Sequence, residues 1–404
     1  MMRPTLSSAQ DEGMAMEVVR QQWENLAAQV LRKARRLGPD TPDDHVWAIL
    51  QSSTVEGIPV LPLGLPNDRQ LPVNDGRRRH GAGWDIRPHI ADPDPAAAAD
   101  AAVEEWQHDS TSVWLSVGSG ATDPAVLGSV LGQLPIDTLP IILGAVGSTT
   151  DVQAAQAFSD VLRRRRVIAA AGSSLGADPV GRLIQTDKSS PRSTTIADIA
   201  AIATDLGVGA LIADGRPLHH RGAGDASEIG YVLATGVYYL RQLEIHGYSL
   251  TASLDMIGLR LAATDDQFAT IAKFRAVRAL WRKIADLSGR PSGWHPQIHA
   301  VTSAPMMTRY DPWTNLLRTT IAAFAGGVGG ADSITVAPFD SALGIPDAQG
   351  RRLARNIGAL LVQEAHIADV ADPAGGAWAV ESLTDALADA AWAEFLLIEA
   401  AGGI

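Results

Sequence analysis

The sequence predicts an α/β fold, a (β/α)8 TIM barrel preceded by an N-terminal helix and an extended arm. Short apolar runs set in at Trp84 and recur at Trp84–Ile86, Val113–Val117, Ile141–Val146, Val167–Ala171, Ala210–Ala213, Asp255–Leu261, Gln297–Val301 and Ser333–Val336. Helical patterns lie between most of them, among them Ala96–Trp106, Ala154–Arg163, Thr195–Leu206 and Ile229–Ile245. Strands that alternate with helices pair in parallel, and eight of them favour a closed barrel over an open sheet. The stretch from about residue 84 to 370 is also the standard length of such a barrel.

Ahead of the barrel, Ser8 to Leu37 reads as a helix. Val18, Val19, Trp23, Leu26, Val30 and Leu31 form one apolar stripe, and Gly38 with Pro39 closes the segment. Residues 39–80 are rich in Pro, Gly, Asp and Arg and read as a connecting arm with little regular structure. The expected division is therefore 1–83, helix and arm, and 84–404, barrel domain. A final helix is expected over Ser382–Ala401 within the second part.

Composition narrows the function. The chain has 404 residues, 46% apolar and 19% charged, as in a compact globule. No apolar run approaches the roughly 20 residues of a membrane span, and the first residues carry no signal core. A cytoplasmic protein with no membrane partner is expected. Cysteine is absent, which removes disulfides, thiolate metal sites and thiol nucleophiles. A net charge of −12 argues against nucleic acid as a partner.

Three strand regions are small-chained: Ala169–Gly172, Thr302–Ala304 and Thr335–Ala337. Such residues either leave room for a ligand along the barrel axis or complement large neighbours. The polar cluster Asp214–Asp225 follows the fifth strand and so belongs at the C-terminal mouth, where barrel active sites lie. Its His219 or His220 could donate a proton to a substrate oxygen, or cap the next helix and face water. Adjacent histidines without a partner at helical spacing do not form a metal site, and none is expected. The Gly-rich run Ala325–Asp332 follows a helix and precedes a strand, the wrong order for a phosphate loop; it reads as a helix stop. Arg163–Arg166 reads as a solvated helix end.

Longer motifs carry a family resemblance. Asp311-Pro312-Trp313-Thr314-Asn315-Leu316-Leu317-Arg318-Thr319-Thr320 runs on to Phe324, then Gly329–Ser333 and Pro338-Phe339-Asp340. Ala354-Arg355-Asn356, Gln363–His366 and Asp372–Gly376 follow; Ala272–Ala276 and Gly222–Gly230 lie upstream. Over about residues 84–404 the chain resembles the barrel region of the methylmalonyl-CoA mutase family. The resemblance implies a (β/α)8 barrel that threads acyl-CoA pantetheine along its axis. It implies an adenosylcobalamin-dependent radical isomerisation of methylmalonyl-CoA and succinyl-CoA, in which the cofactor supplies the hard chemistry.

The family's site residues carry over incompletely. The Tyr-His pair after strand five falls on Leu218-His219, and the His-x-Gln pair after strand seven on His299-Ala300-Val301. The glutamine near strand eight falls on Asp332, the Arg-x-Ser-Phe-Phe cassette on Met256–Arg260, and the Arg-Gln-Tyr cassette on Arg87-Pro88-His89. Only His219 and His299 remain, as remnant positions without an expected catalytic role. The Asp-x-His-x-x-Gly motif of the cobalamin-binding domain has no match, the nearest approach being Asp43–Ala48. No cobalamin-binding domain or bound cofactor is expected on this chain. The pattern resembles the small (beta) subunit of the heterodimeric enzyme, with a catalytic large subunit as partner. Two alternatives stand beside it: a catalytic half that recruits a separate cobalamin-binding chain, and a degenerate barrel that keeps residual CoA binding.

Overall fold

The computed structural model describes residues 6–66, 83–186, 193–290 and 293–404. Two compact units emerge, residues 1–66 and 67–404. The larger is the barrel. Its strands are β1 in two pieces, Asp85–Ile86 and His89–Ile90, then β2 Val113–Gly118, β3 Ile141–Val146, β4 Ser174–Ala177, β5 Gly209–Asp214, β6 Ile257–Ala263, β7 Ile298–Thr302 and β8 Ser333–Thr335. All pair in parallel with their neighbours in sequence. The first piece of β1 pairs with β8 and the second with β2, so one strand closes the ring. Pro88 separates the pieces. It has no N–H to give, but its carbonyl accepts from Trp114 N (3.0 Å), while Arg87 N donates to Ile334 O (3.0 Å).

Helices clothe the ring: α2 Pro95–Gln107, α3 Asp151–Arg165, α4 Ser193–Leu206, α5 Asp225–Ile245, α6 Gln267–Leu287, α7 Pro312–Val328, α8 Ala348–Ala359 and α9 Trp378–Ala400. Side chains at the chain entries fix where several begin. Thr150 and Gln153 form a reciprocal capping box at α3, and Asp94 and Asp266 accept backbone N–H groups at α2 and α6. The Gly-rich run is a helix stop, ending α7 at Gly329. The basic run ends α3 with all four arginines exposed, and Arg165 also donates to Leu131 O and Leu134 O at 2.8 and 3.0 Å.

Two strands lie elsewhere than the hydropathy suggests. Val167–Ala171 forms no strand: Arg166 caps α3 in the left-handed region, Ile168 is 82% exposed, and a turn at Gly172 precedes β4. The true strand, Ser-Leu-Gly-Ala, is too short and polar to stand out as an apolar run. β6 begins at Ile257 because Asp255 and Met256 finish a short helix, Leu250–Met256, capped by Ser249.

The smaller unit also departs from expectation. Its helix α1 spans Leu6–Lys33, and the first part of the supposed arm is folded. A 3-10 turn at Asp43–His45 leads into a helix at Val46–Leu50, and Ser52–Ser53 pairs antiparallel with Pro59–Val60. Ala28, Leu31, Leu37 and Val46 form its core, with Trp23 and Trp47 packed beside them, ring centroids 4.6 Å apart. Trp47 Nε1 donates to Glu24 Oε1 at 2.6 Å. Trp23 and Leu31 thus turn inward, whereas Val18, Val19, Leu26 and Val30 are 51–65% exposed. The remainder of the arm, 67–82, lies outside the described residues. Among the described residues no helix is long and apolar enough to cross a membrane.

Packing between the outer helices is tight enough to test. Trp281 of α6 is fully buried, and a Cβ at Gly236 of α5 would stand 2.5 Å from its ring. Neither rigid helix can yield, so overpacking costs about 1–3 kcal/mol. Gly236→Ala should lower the urea unfolding midpoint accordingly, without changing the denaturant slope.

Candidate functional site

Side chains alternate along each barrel strand, so every second residue enters the interior. Trp114 on β2 meets residues from almost every side. His89 of β1 stacks on it, centroids 3.9 Å apart, and Ser116 Oγ lies 2.7 Å from His89 Nε2. His299 of β7 stands edge-on at 5.7 Å, and Ile142 of β3 and Val301 of β7 pack against the indole. The close approach to β3 requires glycine at 144, where a Cβ would fall 2.9 Å from Trp114 Nε1. From β6, directly opposite in the ring, the Arg260 guanidinium lies 4.1 Å from the indole centroid. Arg216, just after β5, lies 4.7 Å from it. Two opposite strands thus meet through an indole and a guanidinium, and the barrel is filled at this level.

Asp214, at the end of β5, holds both cations. It accepts from Arg216 Nε at 3.0 Å and Nη2 at 2.5 Å, and from Arg260 Nη1 at 3.2 Å. Burial alone would raise its pKa, but the two guanidiniums outweigh burial and hold the carboxyl below its ordinary value. Burial pulls Arg260 down to about 10, leaving it charged at neutral pH. Arg260 Nη2 and Trp114 Nε1 are buried without a hydrogen-bond partner among the described residues.

The surroundings of His299 define its tautomer. Arg260 Nε donates to Nδ1 at 3.0 Å, so Nε2 carries the hydrogen and donates to Thr335 Oγ1 at 2.8 Å. That hydroxyl donates in turn to Arg87 O at 2.6 Å. Burial first, then Arg87, Arg260 and Arg216, hold the imidazole well below its ordinary pKa. His299 is therefore a neutral, fully bonded link in the barrel wall.

His219 closes the short helix Arg216–His219 that follows β5. Its Nε2 lies 2.8 Å from Ser303 Oγ, and its Nδ1 3.6 Å from Glu228 Oε2. Burial, then Lys273, lowers its pKa to about 4. Glu228 is fully buried beneath it, receives Ala262 N at 2.8 Å, and is ion-paired with Lys273, which also binds Asp225 at 2.8 Å. Burial raises Glu228 despite Lys273, whereas the two carboxylates raise Lys273 against its own burial. This trio anchors the polar loop after β5 to α5 and α6.

Above Trp114 the mouth opens into a cavity of about 530 Å³. The small residues Thr302–Ala304 and Thr335–Ala337 do line it, together with His89, Arg216 and His220. They make room at the mouth only, because Trp114 stands on the cavity floor. Ala169–Gly172 contributes nothing, lying outside β4. Of Leu218, Val301, Asp332 and Gly258, only Val301 lines the cavity. Asp332 precedes β8 at the opposite end, bound to Arg278 at 2.6 Å and Ile298 N at 2.9 Å. Gly258 lies low on β6 against Ile212. Sequence reading had not singled out Trp114, Arg216 or Arg260 as interior groups. The available signal was parity: Trp114, Asp214 and Arg260 are large or charged residues inside otherwise apolar strands. Among the described residues no group of three or more His, Asp or Glu could hold a metal ion.

The neutral His299 has a pH signature. Its folded pKa lies below the unfolded value, so its contribution is complete above about pH 6.5 and is lost as pH falls. In His299→Gln the acid limb of the stability curve, from pH 6.5 downward, should be shallower by about 1.4 kcal/mol per pH unit. Urea titrations at stepped pH measure it.

Comparison with known proteins agrees with this architecture. Residues 187–404 match the family model described as methylmalonyl-CoA mutase. The chain is 39% identical to the methylmalonyl-CoA mutase small subunit of Streptomyces virginiae, over 97% of this chain and 66% of that protein. It is 37% identical to the probable small subunit of Mycobacterium tuberculosis strain H37Rv, over 96% of this chain and 66% of that one. For the small subunit of Propionibacterium freudenreichii subsp. shermanii the identity is 36%, covering 99% and 64%. The chain spans about two thirds of the length of these relatives. With a matching family model over more than half its residues and a closed parallel barrel beneath it, the chain belongs to the methylmalonyl-CoA mutase family.

Proposed function

We propose that the chain is the barrel part of the small subunit of an adenosylcobalamin-dependent methylmalonyl-CoA mutase, and that it supports a catalytic large subunit without catalysing the isomerisation itself. One observation carries this reading: Trp114 and Arg260 meet across the barrel at 4.1 Å, where a pantetheine arm would have to pass. The remnant histidines support it. His299 has both ring nitrogens bonded within the wall. His219 has a leucine, not a tyrosine, before it, and burial keeps it neutral.

Adenosylcobalamin supplies radical chemistry to the holoenzyme when bound. The residues described here do not fit its attachment. In the nearest sequence approach, Asp43 is bonded to Arg32 at 2.8 Å and to Asn25 at 3.1 Å, and Val46 is buried in the core of the smaller unit. What remains for this chain is structural. The exposed face of α1, with Val18, Val19, Leu26 and Val30, offers an apolar surface for the large subunit. Each such side chain stabilises an interface by roughly 1.5–3 kcal/mol when fully covered. A cytoplasmic location fits this role.

Three measurements test the reading. The full chain should co-elute with a catalytic large subunit, and His219→Ala in that reconstituted enzyme should leave turnover within about threefold. Loss of a general acid would cost about a hundredfold or more, and a fall of that size would return His219 to catalysis. Deleting residues 1–37 should weaken the affinity for the large subunit by at least tenfold, read by surface plasmon resonance. Unchanged affinity would place the interface elsewhere.

A further inference from the structure

The cluster around Asp214 carries a charge that its own residues do not balance. Asp214 is shared by Arg216 and Arg260, while Arg87 is paired separately with Asp85 at 2.5 Å. Two guanidiniums against one carboxylate leave one positive charge. The other carboxyl facing Asp214 is Asp178, which burial, then Asp214, push up to about 8; it accepts the Tyr239 hydroxyl at 2.7 Å. Asp225 and Glu228 turn to Lys273 and do not line the cavity. Arg260 is 3% exposed, with Nη2 unpartnered among the described residues. An excess charge in such a place is costly unless a counter-charge reaches it.

The cavity gives a counter-charge access. Arg216 lines it; Asp214 takes its Nε and Nη2, and Nη1 has no partner among the described residues. His220 stands in the same wall, held below its ordinary pKa by burial and then Arg216, so it is a neutral donor. Arg351 also lines the space and donates to Pro346 O at 2.8 Å. Asp92 is the acidic residue in the lining, and its Oδ1 is engaged by Asp94 N at 2.9 Å. The other walls are largely apolar, with Ile90, Val301, Val336 and Ile345. A cationic end, apolar sides and a floor closed by Trp114 select a compact ligand over a long one.

We propose that this cavity binds a small organic carboxylate, its head group against Arg216 and His220 and its hydrocarbon body along Ile90, Val301, Val336 and Ile345. The site is independent of whether the chain takes part in isomerisation. Isothermal titration of the full chain with hexanoate should give saturable binding at about 1 mM or tighter, as expected for a ligand of this size. Hexanamide, the neutral twin, should bind at least tenfold more weakly, and free CoA should not compete. Arg216→Gln should weaken hexanoate at least tenfold. Ile345→Trp, at a 64% exposed position that fills the cavity from its outer side, should do the same without touching the charge cluster. If Arg216→Gln fails to fold by circular dichroism, the amide comparison and Ile345→Trp decide. Equal binding of amide and acid, unchanged affinity in Arg216→Gln, or inorganic phosphate competing as well as hexanoate would each overturn the assignment.

Discussion

The barrel interior is organised around one carboxylate. Asp214 fixes the guanidiniums of Arg216 and Arg260 against the same indole, so a side chain from β2 and one from β6 are locked together across the ring. Cation–π contact in a desolvated setting is worth about 2 kcal/mol, but it depends on Asp214, because an unpaired buried guanidinium is strongly destabilising. From Arg260 the order passes to His299, then Thr335, then the Arg87 carbonyl, and so through β6, β7, β8 and β1. Removing the carboxylate would release all of these at once.

A second buried centre works outside the ring. Lys273 and Glu228 are fully buried, and their pairing ties α6 to α5 below the loop that carries His219 and His220. Arg275, two residues on, binds Asp372 at 3.0 Å and Glu381 at 2.8 Å, tying α6 to α9. Helix α6 is thus held by ions on two sides. Such pairs are weak contributors to net stability and strong determinants of geometry, since misplacing one partner strands the other. The mouth loop inherits that rigidity.

Much of the architecture was legible in the sequence, for physical reasons that also explain the misses. Stretches such as Ile141–Leu143 and Ala210–Ala213 are buried at every position and so on both faces, and hydropathy alone finds the runs that hold them. β4 escapes because its Ser-Leu-Gly-Ala is held by neighbours rather than by its own apolarity, while Val167–Ala171 satisfies the pattern and lies in a loop. The site was half legible. The loop after β5 is marked by its polar residues, and it does stand at the mouth. The plug was hidden, because a tryptophan inside an apolar strand looks like ordinary core until its partners from β5 and β6 are known. Placement by motif also put Asp332 beside the pocket, although it lies at the far end with Arg278.

The two-piece first strand has a consequence for how the chain comes to be folded. Its halves face different neighbours, and one of them, β8, is formed by residues 333–335, about 250 positions later. During synthesis the growing sheet therefore carries two unpaired edges for almost the whole length of the barrel. Exposed strand edges are templates for pairing with other chains, and closures of such long range are slow. The edge at Asp85–Ile86 is only two residues long, and the one along β7 five. A short edge is a poor template. The brevity of the seam strand thus limits what the nascent protein exposes until the ring can shut.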